Sequence, residues 1–141
     1  TSLWAHGWGI AWFENELSSD GGSLKKHIII PSGAKPGTGG VAFSQHHSMA
    51  LGDFNADGLM DFVTGKRWWA HGGGDPGADQ PSVLYWFELR RSEKHGVEFI
   101  PHLVDTDSGV GTQVAVGDLD GDDKTDIGVG NKKGVYIFRT R

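Results

Sequence analysis

Along the chain, apolar and β-branched residues fall in runs of four to eight, each bounded by Gly, Asp or Pro. Runs of that length between turn residues are what short strands look like. The pattern predicts strands at Gly9 to Glu16 and at "HIII", His27 to Ile30. It continues near Ser48 to Leu51, Asp61 to Gly65, Leu84 to Leu89 and Glu98 to Val104. Further strands follow at Gln113 to Val116, Ile127 to Gly130 and in "GVYIFRTR", Gly134 to Arg141. No segment carries an apolar stripe at helical spacing over a useful length, since "ENELSS" and "LRRSEKH" are both too short. The expected fold class is therefore all-β.

The same strands recur at a fixed distance. "MALGDFNADG" maps onto "VAVGDLDGDD" at an offset of 65, and "LWAHG" (Leu3 to Gly7) maps onto "WWAHG" (Trp68 to Gly72) at the same offset. Past the longer loop "GGGDPGADQPS", "VLYWFELR" repeats "GIAWFENE", and "GVYIFRTR" is a third copy of that strand. "KKHIII" and "FIPHLV" each close a unit. Such periodicity marks repeat architectures, and a four-stranded antiparallel unit repeated in series reads as β-propeller blades. A sandwich, the competing all-β arrangement, rarely repeats its sequence at a long fixed period. The expected organisation is one domain over 1–141, with repeat 1 at 1–65, repeat 2 at 66–130 and a partial repeat 3 at 131–141. Propellers close with about four to eight blades, so this is an incomplete propeller. The remaining blades would come from a longer parent chain or from other copies.

Composition narrows the picture. Glycine is abundant at 23 of 141 residues, but aromatics at 11% are too many for a disordered chain. The net charge of −5, with only isolated basic pairs such as Arg90-Arg91 and Lys132-Lys133, argues against nucleic acid as a partner. No apolar run approaches the roughly 20 residues of a membrane-spanning helix. Cysteine is absent, which removes disulfides and thiol chemistry and leaves the compartment open. The chain opens on "TSLWAHG", with neither Met nor a leader, as expected of a processed product or a piece of something longer.

Charge is concentrated in two places. "GDFNADGLMDFVTG" (Gly52 to Gly65) and "GDLDGDDKTDIGVG" (Gly117 to Gly130) share the pattern D-x-[DN]-x-D-x-x-x-D. Oxygen donors at alternating positions of a turning loop converge on one point, which suits a hard cation such as calcium with its six to eight oxygen ligands. The candidate ligands are Asp53, Asn55, Asp57, the carbonyl of Leu59 and Asp61. Their counterparts are Asp118, Asp120, Asp122, the carbonyl of Lys124 and Asp126. Asp and Asn are also ordinary turn formers, but two loops sharing all four acidic or amide positions favour a metal. Asp123 stands where the first loop has Gly58, and Asp tolerates the left-handed backbone needed there. The closing acid sits at the start of a strand, so this is a calcium loop on a β-hairpin and not a helix–loop–helix. Two Ca²⁺ ions would bring the formal charge from −5 to −1. The second loop, richer in carboxylate, should bind more tightly. Both should fall near 10⁻⁴ to 10⁻³ M, about the range of extracellular modules, which points to an extracellular or periplasmic protein.

These two loops resemble the calcium-loop repeats of the FG-GAP/VCBS-type β-propellers, a family found in integrin α-chain heads, lectins and many secreted bacterial proteins. The resemblance covers nearly the whole chain. Phrases such as "HSMALGD", "TGKRWWAHGGGDPG", "YWFELRR" and "DSGVGTQ" are similar to those of secreted FG-GAP proteins of environmental bacteria. It implies calcium at the loop positions named above. It implies no particular ligand, because the fold hosts many functions.

The tryptophans and histidines supply the remaining candidates. Trp12 and Trp86 lie inside strands with alternating neighbours and are expected as core residues between blades. Trp68 and Trp69 precede a glycine-rich loop, and one of them must face away from the core, where an aromatic suits a carbohydrate. His6 and His71 hold equivalent positions in "WAHG" and are expected to bond the adjacent turn. The pair His46-His47 invites a transition metal, yet no acid or third His stands nearby at helical or strand spacing. A ligand-binding face would combine Trp68, Trp69, His71, His47 and Lys66. No nucleophile elbow or phosphate-cradling loop is present. The expected function is a non-catalytic calcium-binding module for carbohydrate or protein. The alternatives are a segment of a polysaccharide lyase or hydrolase, with His47, Lys66, Arg67 and Asp107 as acid–base groups, and a structural subunit of an oligomer or filament.

Overall fold

Nine strands build three antiparallel sheets, none closed on itself, in a computed structural model that describes residues 1–17, 21–94 and 96–141. Ser18, Ser19 and His95, within "ENELSS" and "LRRSEKH", lie outside the described residues. The first sheet pairs β1 (Ile10–Glu16) with β2 (Ser23–Ile30). The second is a four-stranded meander of β3 (Met49–Gly52), β4 (Asp61–Gly65), β5 (Leu84–Ser92) and β6 (Gly96–Asp105). The third joins β7 (Val114–Gly117), β8 (Asp126–Asn131) and β9 (Gly134–Phe138). Every predicted strand is present, within a few residues at each end. The sheets run 10–30, 49–105 and 114–138, so the middle one crosses the 65/66 boundary of the sequence period. Thr1 and Ser2 add only a short bridge to the start of β1.

The hairpins that carry the aspartate loops have the same register. Gly52 faces Asp61 across β3–β4, and Gly117 faces Asp126 across β7–β8. The following rungs correspond too, with Phe62 opposite Phe87 and Ile127 opposite Phe138.

The core lies between the sheets. Successive residues of a strand point to opposite faces, and β4 is buried along its whole length, so both of its faces are covered. Phe62 enters one cluster with Ile10, Ile29, Ile30, Phe43 and Phe87, which joins the first sheet to the second. Its neighbour Val63 enters another with Phe54, Leu84, Val110, Ile127 and Val129, which joins the second sheet to the third. Phe62 and Phe87 stack at 4.6 Å between centroids. Burying a side chain of that size stabilises the fold by about 1.5–3 kcal/mol, so the middle sheet is the hub of the molecule.

The linkers complete the stitching. The Gln45 N–H donates to the Gly7 carbonyl at 2.6 Å, and the Gln45 carbonyl accepts the Arg67 N–H at 3.1 Å. Between β6 and β7, the Val110 N–H donates to the Lys66 carbonyl at 3.1 Å.

Candidate cation-binding sites

In the first loop the Asp53 carboxylate turns the chain on itself. It accepts the Asp57 N–H at 3.2 Å and the Gly58 N–H at 2.9 Å, while Asp57 Oδ1 accepts the Leu59 N–H at 2.8 Å. The second loop repeats this. Asp118 accepts the Asp122 N–H at 3.2 Å and the Asp123 N–H at 3.0 Å, and Asp122 accepts the Lys124 N–H at 3.1 Å. The Gly121 N–H, donating to Asp118 at 2.7 Å, and then those of Asp123 and Asp122 hold the Asp118 carboxyl below the usual range for an aspartate. Gly58 has φ 84° and Asp123 has φ 62°, so the aspartate does take up the left-handed conformation. At the fourth position the roles reverse, with Gly121 at φ 83° and Ala56 strained at φ 58°.

The closing aspartates are both fully buried. Asp61 accepts the Phe54 N–H at 3.1 Å and the Leu89 N–H at 2.8 Å. Asp126 accepts the Leu119 N–H at 3.0 Å and the Thr140 N–H at 2.9 Å. Each therefore clamps its own loop to the following part of the chain, Leu89 within β5 and Thr140 just past β9, a role that loop spacing alone does not reveal. Burial raises the Asp61 carboxyl above its ordinary range, offset in part by those two N–H bonds, and the nearby Asp57 and Asp53 charges add to the rise. A cation beside it would relieve that penalty.

The oxygens converge. Carboxylate oxygens of Asp118, Asp120 and Asp126 lie within 4.8 Å of one another. Side-chain cations share the excess charge, with Arg139 at 3.3 Å from Asp120 and Lys124 Nζ at 3.0 Å from Asp122. In the first loop the Asn55 amide plays that part, donating to Asp57 Oδ2 at 3.0 Å. An all-oxygen donor set of this kind fits calcium. The two loops are neighbours, because residues 53–56 and 123–125 line one cleft of about 320 Å³.

A second group forms where the first and second sheets meet. His6 Nδ1 lies 3.3 Å from Asp75 Oδ2, and His71 Nδ1 lies 3.1 Å from the same oxygen. The rings of His6 and His71 are 4.6 Å apart, and His47 packs edge-on against His6 at 5.0 Å. Burial opposes ionisation of Asp75, but the bonds to His71 and His6 outweigh it and keep the carboxyl below its ordinary range. Burial, with the Arg67 charge next, lowers the pKa of His47. His71 bonds its own turn as expected, whereas His6 reaches across to the turn of the other copy. Asp75 sits in the loop that the first copy lacks. Its only sequence signal is the spacing of four residues from His71.

The other ligand-face candidates separate. Lys66 is fully buried, and its Nζ lies 3.4 Å from the Arg67 carbonyl. Burial lowers its pKa against the opposing charges of Asp79 and Asp75. Trp69 is exposed two residues before His71, while Trp68 packs 5.8 Å under the Lys133 ammonium. Asp107 pairs with Lys133. His46 is buried away from His47, against Phe43.

Trp12 and Trp86 are partly buried and pack against the two core clusters. Each stacks on a cross-strand histidine, His27 at 4.1 Å and His102 at 4.2 Å. Each of those histidines meets a glutamate, Glu14 at 2.9 Å and Glu88 at 2.8 Å. This Trp–His–Glu arrangement was not foreseen from the sequence, although both histidines stand in the strands that close the units.

No family model, curated protein or solved structure matches the chain.

Proposed function

We propose that this chain is a segment of a calcium-stabilised β-propeller of the FG-GAP/VCBS type, serving as a binding or assembly module outside the cytosol. The observation that carries the reading is the pair of aspartate hairpins, side by side, with the same register and the same clamp from Asp61 and Asp126. The middle meander supports blade geometry. It is covered on both faces by neighbouring sheets, and β3 approaches β7, the corresponding first strand of the next sheet.

Calcium would be held by Asp53, Asn55, Asp57, Asp61 and the Leu59 carbonyl, and by Asp118, Asp120, Asp122, Asp126 and the Lys124 carbonyl. Its role is structural: it neutralises clustered carboxylates and pins each hairpin, so that binding couples to folding. Weak sites of this class fill where calcium is plentiful, which supports an extracellular or periplasmic setting. The edge strand β9 leaves Val135 and Ile137 exposed. An apolar edge of that kind invites another strand, from a longer parent chain or a second copy. Trp69, exposed two residues before His71, is the candidate contact for a carbohydrate or protein ligand.

Thermal unfolding in millimolar calcium and in excess chelator tests the reading, with molar mass followed by light scattering. A fall in Tm on chelation is the expected result. An unchanged Tm would reduce the loops to ordinary turns.

A further inference from the structure

We propose that His6, His71 and Asp75 form a second metal centre, for a transition-metal dication of the zinc class, independent of the aspartate loops. Two ligands about 2.0 Å from a tetrahedral ion stand roughly 3.3 Å apart. Both histidine Nδ1 atoms already lie at that distance from one oxygen, at 3.3 and 3.1 Å from Asp75 Oδ2. One ligand atom from each of the three residues lies within 4.8 Å of the others. Two imidazoles and one carboxylate are a donor set suited to zinc and poorly suited to calcium, which takes oxygen alone.

The backbone around the group is strained. Trp69 (φ 50°) and His71 (φ 47°) both adopt the left-handed conformation, followed by Gly72 and Gly73 in the same region. Non-glycine residues are uncommon there and cluster at functional sites. The left-handed turn presents His71, and Asp75 from the longer loop that follows it, to His6. His6 joins the other two from across the fold, 69 residues from Asp75. Each neutral imidazole moves its proton from Nδ1 to Nε2 and offers the freed lone pair, so binding needs no net proton release. His47, whose buried Nδ1 has no hydrogen-bond partner among the described residues, packs edge-on against His6 at 5.0 Å, and a fourth position can be taken by water or a ligand oxygen.

The test is titration of the whole chain, in excess calcium, with zinc(II) against a chromophoric chelator and with cobalt(II) followed by its visible spectrum. The expected result is one ion per chain and intense tetrahedral cobalt bands. His6→Gln, His71→Gln and Asp75→Asn should each weaken binding by at least about 10-fold, while Glu93→Gln, at an exposed carboxylate outside both sites, leaves it unchanged. Circular dichroism checks each variant, and the exposed position of His71 makes His71→Gln the safest of the three. Absence of saturable binding at one ion per chain overturns the proposal, as does binding that all three variants retain. Because His6, His71 and Asp75 lie outside the aspartate loops, the effect of their substitution is independent of the calcium reading.

Discussion

Asp61 and Leu89 stand 28 residues apart, yet the Asp61 carboxylate accepts the Leu89 N–H at 2.8 Å inside a fully buried site. Asp126 and Thr140 repeat the bond at 2.9 Å. Loop, strand and next strand are thus tied through one side chain. Asp61→Asn replaces one acceptor oxygen by a donor facing an N–H, and should destabilise the protein by about 1–3 kcal/mol. Urea unfolding in calcium and in chelator separates the two jobs of the carboxylate. A larger loss in calcium is expected; equal losses would leave the aspartate as a backbone clamp only.

Ala56 has φ 58° where the second loop has Gly121. Ala56→Gly relieves the left-handed strain and should raise stability by up to about 1 kcal/mol, part of the gain being lost to the freer unfolded chain. Gly121→Ala should destabilise by a similar amount. A lowered urea midpoint for Ala56→Gly would show that its backbone carries no strain.

His46 is buried with no hydrogen-bond partner for either ring nitrogen among the described residues. Burial depresses its pKa to about 4, and the nearby Phe43 backbone offsets only part of the effect. Below pH 6.5 the unfolded chain takes up a proton that the folded chain refuses. Stability attributable to His46 is therefore full above pH 6.5, falls as the pH drops, and levels off below about pH 4. The shift corresponds to about 3 kcal/mol at most. His47, also lowered, acts in the same direction. His46→Phe keeps the contact with Phe43 and should flatten the slope between pH 6.5 and 4, as measured by urea unfolding at a series of pH values. An unchanged slope would place the proton uptake elsewhere.

Glu14 and Glu88 make corresponding bonds to His27 and His102 in very different surroundings. Glu88 is buried and chelated by Arg90 at 2.7 and 3.1 Å, which holds its carboxyl below the ordinary range. Glu14 is exposed. Glu88→Gln should cost about 1–3 kcal/mol and Glu14→Gln under about 1 kcal/mol. Equal costs in thermal unfolding would mean that burial adds nothing to the Glu88 interaction.

Much of the fold was legible before any coordinates. "DFVTG" and "LYWFEL" declare themselves as strands because β-branched and aromatic residues stop abruptly at Gly, Asp or Pro. The loop aspartates were legible because an alternating acidic pattern bends the backbone through local bonds, all within five residues of Asp53 or Asp118. Lys66 was not legible as a buried residue, since a lysine after "TG" reads as solvated. Its burial follows from the linker that crosses it at Val110.

The sequence by itself determined the elements whose causes are local: strand positions, turn chemistry and the self-bonded aspartate loops. Tertiary structure alone decided which distant groups meet. The second N–H on Asp61 comes from Leu89 within β5, and Asp75 meets a histidine 69 residues away. Those meetings depend on sheets stacking through Phe62 on one face and Val63 on the other. Hydrophobic burial drives that stacking without direction, so the polar partners it brings together leave no periodic trace in the chain.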